Sequence, residues 1–313
     1  MIRGLRNSTK NKKFLVPLVM LSVAIIALIA LEMTRTETEF SRDTFRPSAN
    51  YSAEDAVNVG GDRPADLFLP ATYSQETPVP LLLDLHGYGG ESSLHGSYTF
   101  LQAAADQRGV AYIAPNGLKD STGNRFWNAY NACCNFIGSK VSDVDYIKSL
   151  IEEISSKVSI DQSRIYLFGH SNGHFMSYKF ACSTEGVVTA IAGLAGSMDN
   201  SPNNCSNNAT NVLHIHGTDD QTILYDGGSL FGNPYLSAEK TTAQWASINS
   251  CTKPRESRID LLESMDGAET SQLSYTCANN SLELWRINGG VHVPALNKEF
   301  ALRTLDWLLT HRK

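Results

Sequence analysis

Apolar positions along this chain fall into two recurring patterns. Short runs at residues 79–85, 108–115, 165–168, 187–194, 211–216 and 281–287 are nearly continuous and bounded by Gly, Pro or Asn, the form taken by strands covered on both faces. Between them, residues 100–107, 143–158, 175–182 and about 295–310 repeat apolar side chains at helical spacing. In the second of these, Val144, Ile147, Leu150, Ile151, Ile154 and Val158 form one face, with Asp143 as the expected cap. Strands alternating with helices predict an α/β fold built on a mostly parallel sheet.

One apolar run stands outside this scheme. Residues 14–31 carry no charge, follow a basic cluster of Arg3, Arg6, Lys10, Lys12 and Lys13, and end at Glu32. That pattern is an export signal or a signal anchor, with the basic end cytoplasmic and everything after Glu32 outside. Ile25 and Leu28 stand where a cleavage site wants small residues, which favours an uncleaved membrane anchor over residues 14–31. Residues 33–57 are mostly polar, broken by Arg46-Pro47, and read as a tether. The division expected is therefore 1–32 signal or anchor, 33–57 tether and 58–313 one compact domain, without internal repeats.

A hydrophobic content of 42% in 313 residues supports a large core. The net charge of −6 argues against nucleic-acid binding, because the only dense basic cluster flanks the apolar run. All six cysteines follow that run, so export predicts up to three disulfides. Cys251 and Cys277 flank a polar excursion, residues 252–276, and are the best pair. Cys133 and Cys134 are neighbours about 3.8 Å apart across a trans peptide, which predicts that each bonds elsewhere. His214 and His216 share one strand face, but no third ligand accompanies them, so no metal site is expected.

The chemistry centres on Gly169-His170-Ser171-Asn172-Gly173, placed between a strand and a helix. G-x-S-x-G in that context is a nucleophile elbow, with the serine hydroxyl held out at a helix N-terminus. Upstream, His86-Gly87-Tyr88-Gly89-Gly90 follows a buried strand and resembles a loop that turns main-chain N–H groups toward an oxyanion. Downstream, a strand ends in Asp219-Asp220, either of which can serve as the acid, and Gly289-Gly290-Val291-His292 supplies the base. The long loop 116–142 holds Trp127, which can stack on a substrate ring or pack beside the cysteines.

The order serine, aspartate, histidine is that of α/β-hydrolases. With Trp127-Asn128-Ala129, Cys133-Cys134, Asp143-Val144 and His216-Gly217-Thr218-Asp219-Asp220, the chain resembles the esterase/polyhydroxybutyrate depolymerase family, which includes feruloyl esterases and LpqC-like secreted esterases. It departs from the family pattern at Tyr88 and His174, where members often carry Cys and Gly, and at Val291-His292-Val293-Pro294, where they often carry G-H-x-W-P. The resemblance implies an α/β-hydrolase fold, a Ser171-His292-Asp220 triad, and an oxyanion hole from the backbone N–H groups of Tyr88 and Asn172. It also implies a cofactor-free acyl-enzyme mechanism.

The expected function is an exported serine carboxylic-ester hydrolase acting on feruloyl or acetyl esters of polysaccharide, or on a short polyester. A polyhydroxybutyrate depolymerase is the near alternative. A serine peptidase and a non-catalytic binding protein on the same fold are the alternatives of another class.

Overall fold

The computed structural model describes residues 56–199, 205, 210–278 and 280–313. The apolar run 14–31 and nearly all of the tether lie outside the described residues. The first strand, β1 (Val57–Val59), pairs antiparallel with β2 (Ala65–Phe68). β3 (Val79–Leu85) is followed by two short helices, α1 (Ser92–Thr99) and α2 (Leu101–Gln107), and by β4 (Ala111–Ile113). A small hairpin, β5 (Leu118–Lys119) and β6 (Arg125–Phe126), lies in the long loop before α3 (Asp143–Lys157). Then come β7 (Ile160–His170), α4 (Asn172–Ser183), β8 (Ala190–Leu194) and β9 (Asn211–Gly217). A second hairpin, β10 (Gly228–Leu230) and β11 (Asn233–Tyr235), precedes α5 (Ala238–Ile248). The chain closes with β12 (Arg255–Ile259), β13 (Thr270–Tyr275), β14 (Leu282–Ile287) and α6 (Lys298–Leu309).

Ten strands form one sheet in the order β1-β2-β4-β3-β7-β8-β9-β14-β13-β12. The six from β4 to β14 are mutually parallel, and the strands outside them pair antiparallel. Every residue of β3, β8 and β9 is buried, as a parallel sheet covered on both faces requires.

The chain passes from β3 to β4 in one direction and then returns past β3 to β7. Right-handed crossovers place the helices of those two connections on opposite faces. The reversal makes a switch point between β3 and β7, the position at which open α/β sheets bind ligands outside the carboxyl ends of their strands. The loops after β3, β7, β9 and β14 all leave the sheet at that edge, because these strands run parallel. They carry His86–Gly90, Ser171, Asp220 and His292.

Three details depart from the sequence reading. Ser142, not Asp143, caps α3 by accepting from the Asp145 N–H at 3.2 Å. Asp143 is instead fully buried, bonded by Arg63 at 2.6 Å and by the Asn128 N–H at 2.6 Å, so its carboxylate ties the long loop to the domain.

The polar segment between Cys251 and Cys277 is not an excursion; it contributes β12 and β13 to the sheet. β12, at the sheet edge, carries charged side chains and needs no apolar alternation, and β13 beside it is mostly polar, which hides both in a sequence. Cys251–Cys277 and Cys182–Cys205 are disulfides, but Cys133 and Cys134 pair with each other. Their Cα atoms are 3.1 Å apart, closer than the spacing from which separate partners were expected.

Candidate active site

The turn from β7 into α4 places Ser171 at φ 51° and ψ −119°, a region that side-chain-bearing residues seldom occupy. Close packing holds it there. A Cβ on Gly173 would lie 2.0 Å from the Leu85 carbonyl oxygen, so only glycine lets α4 start against the end of β3. The Ser171 N–H donates to Leu194 O at 2.8 Å and anchors the turn on β8.

Ser171 Oγ lies 3.0 Å from His292 Nε2, and His292 Nδ1 lies 2.8 Å from Asp220 Oδ2. All three residues are buried. Asp219, the other acid of the turn, is exposed, and its carboxylate accepts from the Thr218 hydroxyl at 3.2 Å. The Asp220 Oδ1 atom accepts from the Thr222 and Ile223 N–H groups, both at 2.8 Å. Burial alone would raise the Asp220 carboxyl. The positive potential of His292 and hydrogen bonds from His216 and His292 outweigh it and hold the group well below the ordinary carboxylate range.

The loops bearing acid and base are stitched together. The Asp219 N–H donates to Gly290 O at 2.9 Å, and the Gly289 N–H donates to Thr218 Oγ1 at 2.8 Å. His170 adds a further constraint, since its Nε2 donates to His292 O at 3.1 Å and its ring lies 5.1 Å from that of His292. Burial pushes His170 well below its usual value, so the ring is neutral.

Beside Ser171 runs the loop after β3. A Cβ on Gly87 would lie 3.3 Å from Ser171 Cβ. In that loop the Gly89 and Gly90 N–H groups donate to Arg125 O and Gly87 O, whereas the Tyr88 N–H has no acceptor among the described residues. Asn172 opens α4, where an N–H has no intrahelical acceptor. Two main-chain donors thus flank the serine at a helix N-terminus.

Trp127 does not face a cleft. It is fully buried, its indole N–H donates to His86 O at 3.0 Å, and its backbone N–H donates to Asn172 Oδ1 at 2.6 Å. The Asn172 amide returns a bond to Trp127 O at 3.1 Å. Trp127 therefore sets the spacing of the two loops that carry the free donors, and the sequence reading of a substrate-stacking tryptophan is corrected. A ring's surroundings depend on tertiary contacts that a loop sequence does not reveal.

The aromatic side chains that do reach solvent here are others. Phe136 and Phe231, 43% and 55% exposed, meet edge to face at 4.7 Å, and Phe136 meets Tyr88 at 5.3 Å. Phe231 tips the second hairpin, which is tied to the acid loop by the Leu224 N–H donating to Tyr235 Oη at 2.9 Å. The pair consequently bridges the loop after β3 and the loop holding Asp220. Neither phenylalanine carried a signal in the sequence beyond its place in a long loop or a turn.

A mostly parallel sheet with a serine elbow after one strand, an acid after a later one and a histidine after the last defines an α/β-hydrolase. The chain belongs to the phospholipase/carboxylesterase family, whose model matches residues 71–249. It is 29% identical over 194 residues to feruloyl esterase B of Piromyces equi, covering 58% of this chain and 35% of that protein. It is likewise 29% identical over 188 residues to feruloyl esterase C of Emericella nidulans, covering 58% and 63%. The chain thus spans less than two thirds of either relative. The fold matches that of the acetyl xylan esterase from Aspergillus awamori with a TM-score of 0.60, at 14% identity and over 81% of this chain and 98% of that one.

Proposed function

We propose that this chain is an exported serine carboxylic-ester hydrolase that works through an acyl-enzyme. The hydrogen-bonded line from Ser171 Oγ through His292 to Asp220 is the observation that carries the reading. Ser171 attacks the ester carbonyl while His292 Nε2 takes its proton and returns it to the leaving alcohol. Asp220 keeps the Nδ1–H tautomer and stabilises the imidazolium. The N–H groups of Tyr88 and Asn172 receive the oxyanion, each a contribution of about 3 kcal/mol to the transition state. Water, activated by the same histidine, then releases the acid.

Three disulfides among the described residues fit an oxidising compartment, and with the apolar run 14–31 they support export. The exposed Phe136–Phe231 pair favours esters with a flat aromatic group, and the feruloyl esterase relatives agree with a hydroxycinnamoyl acyl group. The test is hydrolysis of p-nitrophenyl acetate, methyl ferulate and a hydroxybutyrate oligomer by the wild type and Ser171→Ala. Turnover lost in the variant supports the mechanism, and the fastest ester names the branch. Equal background rates for both proteins on every ester overturn the reading.

A further inference from the structure

A second histidine touches Asp220 beside His292. His216 Nε2 lies 3.2 Å from Asp220 Oδ2, the same oxygen that His292 approaches, and 2.7 Å from Ile223 O. A carbonyl only accepts, so His216 carries its proton on Nε2. Its Nδ1 is then an acceptor, and 3.3 Å away stands His214 Nε2, which must donate. That leaves His214 Nδ1 as an acceptor for the Tyr178 hydroxyl at 2.7 Å. Donation then runs one way, from Tyr178 to His214 to His216, whose single Nε2 proton bonds Ile223 O and faces Asp220 Oδ2. All four residues are buried.

We propose that His216 is a positioning residue for Asp220, the last member of a one-directional hydrogen-bonded chain from Tyr178 that fixes the acid loop and shares the carboxylate's charge. The inference rests on the proposed esterase reading. Two contacts support it. The His216–Ile223 bond fixes the turn whose N–H groups hold Asp220 Oδ1. The His174 ring stacks on Tyr178 at 4.5 Å and covers the chain.

The titratable groups packed around this array are Tyr98 of α1, His170 at the end of β7, His174 and Tyr178 of α4, His214 of β9, Tyr225 of the acid loop and Tyr235 of β11. Glu239 and Arg286 stand beyond Tyr225. Burial pushes His170, His174 and His214 well below the usual imidazole value. These three rings stay neutral at mild acidity.

His216→Phe keeps a ring without a donor, whereas His216→Gln returns an amide N–H near the Nε2 position. In His216→Phe, kcat for the ester turned over by the wild type is expected to fall about tenfold with KM unchanged, the scale of one hydrogen bond to a charged acceptor. His216→Gln should restore much of that kcat. A folded His216→Phe with the wild-type kcat, or a folded His216→Gln no better than the phenylalanine variant, overturns the proposal. If His216→Phe does not fold, nitrogen-15 histidine spectra of the wild type decide. His214 and His216 must both appear as neutral Nε2–H tautomers, and a charge or an Nδ1 proton on either overturns it. A wild type inactive on every ester defeats the esterase reading instead, and the spectra still report on the chain.

Discussion

Gly217 and Gly290 touch through their backbones: a Cβ on Gly217 would stand 2.1 Å from the Gly290 carbonyl oxygen. This contact joins the end of β9 to the loop after β14, and it is what lets Asp220 and His292 meet across 72 residues of sequence. Gly217→Ala must push one loop away, since main-chain atoms cannot rotate aside. We expect a loss of about 1–3 kcal/mol in stability and a larger fractional loss of kcat/KM. Thermal melts beside ester kinetics measure both. A variant with wild-type activity would show that the loops can part without cost.

Asp220→Asn retains shape but offers either an amide or a carbonyl to His292 Nδ1, and neither stabilises an imidazolium as a carboxylate does. The expected drop in kcat is about 10⁴-fold, the scale seen when a triad acid is made neutral. Asp219→Asn, at an exposed position, should leave kcat within about twofold, as surface changes usually do. Steady-state kinetics on one ester compares the two, and equal effects would remove Asp220 from the proposed role.

Phe231→Ala removes the hairpin half of the aromatic pair. With an aromatic contact worth about 0.5–1.5 kcal/mol, kcat/KM for methyl ferulate should fall up to about tenfold, while ethyl acetate, followed by proton release, should change little. A parallel decline on both esters would mean that the pair shapes the site as a whole and does not recognise a ring.

At the far edge of the domain, Asp161 binds Arg164 and Arg312, each at 2.7 Å, and ties down the C-terminal residues. Its slight burial works against ionisation, but hydrogen bonds from Ser163 and Arg164 outweigh it and hold the carboxyl at about 2. A carboxyl lowered on folding stabilises above its unfolded value, near 3.9, and loses that contribution as pH falls toward 2. Asp161→Asn should therefore melt lower than the wild type at neutral pH, with the difference shrinking below pH 4 and gone near pH 2. Differential scanning across that range tests it.

Much of this architecture is readable along the chain because the central strands and covering helices are local patterns. Residues 79–85 and 211–216 are continuous apolar runs, and they become the buried β3 and β9. The glycines around Ser171 announce a tight strand-to-helix turn for the same local reason. β12 escapes notice because an edge strand needs no apolar face, and β13 because its Thr, Ser and Gln residues form no apolar run.

The sequence by itself determined the α/β class and the candidate serine, acid and base, since each follows from short-range periodicity and turn chemistry. Only the tertiary structure set Asp220 Oδ2 against His292, buried Trp127 between two loops, and brought Phe136 against Phe231. It alone joined Tyr178, His214 and His216 into a chain ending at Asp220. These relations link segments tens of residues apart, and their geometry is set by how parallel strands align their carboxyl ends, which no local pattern encodes.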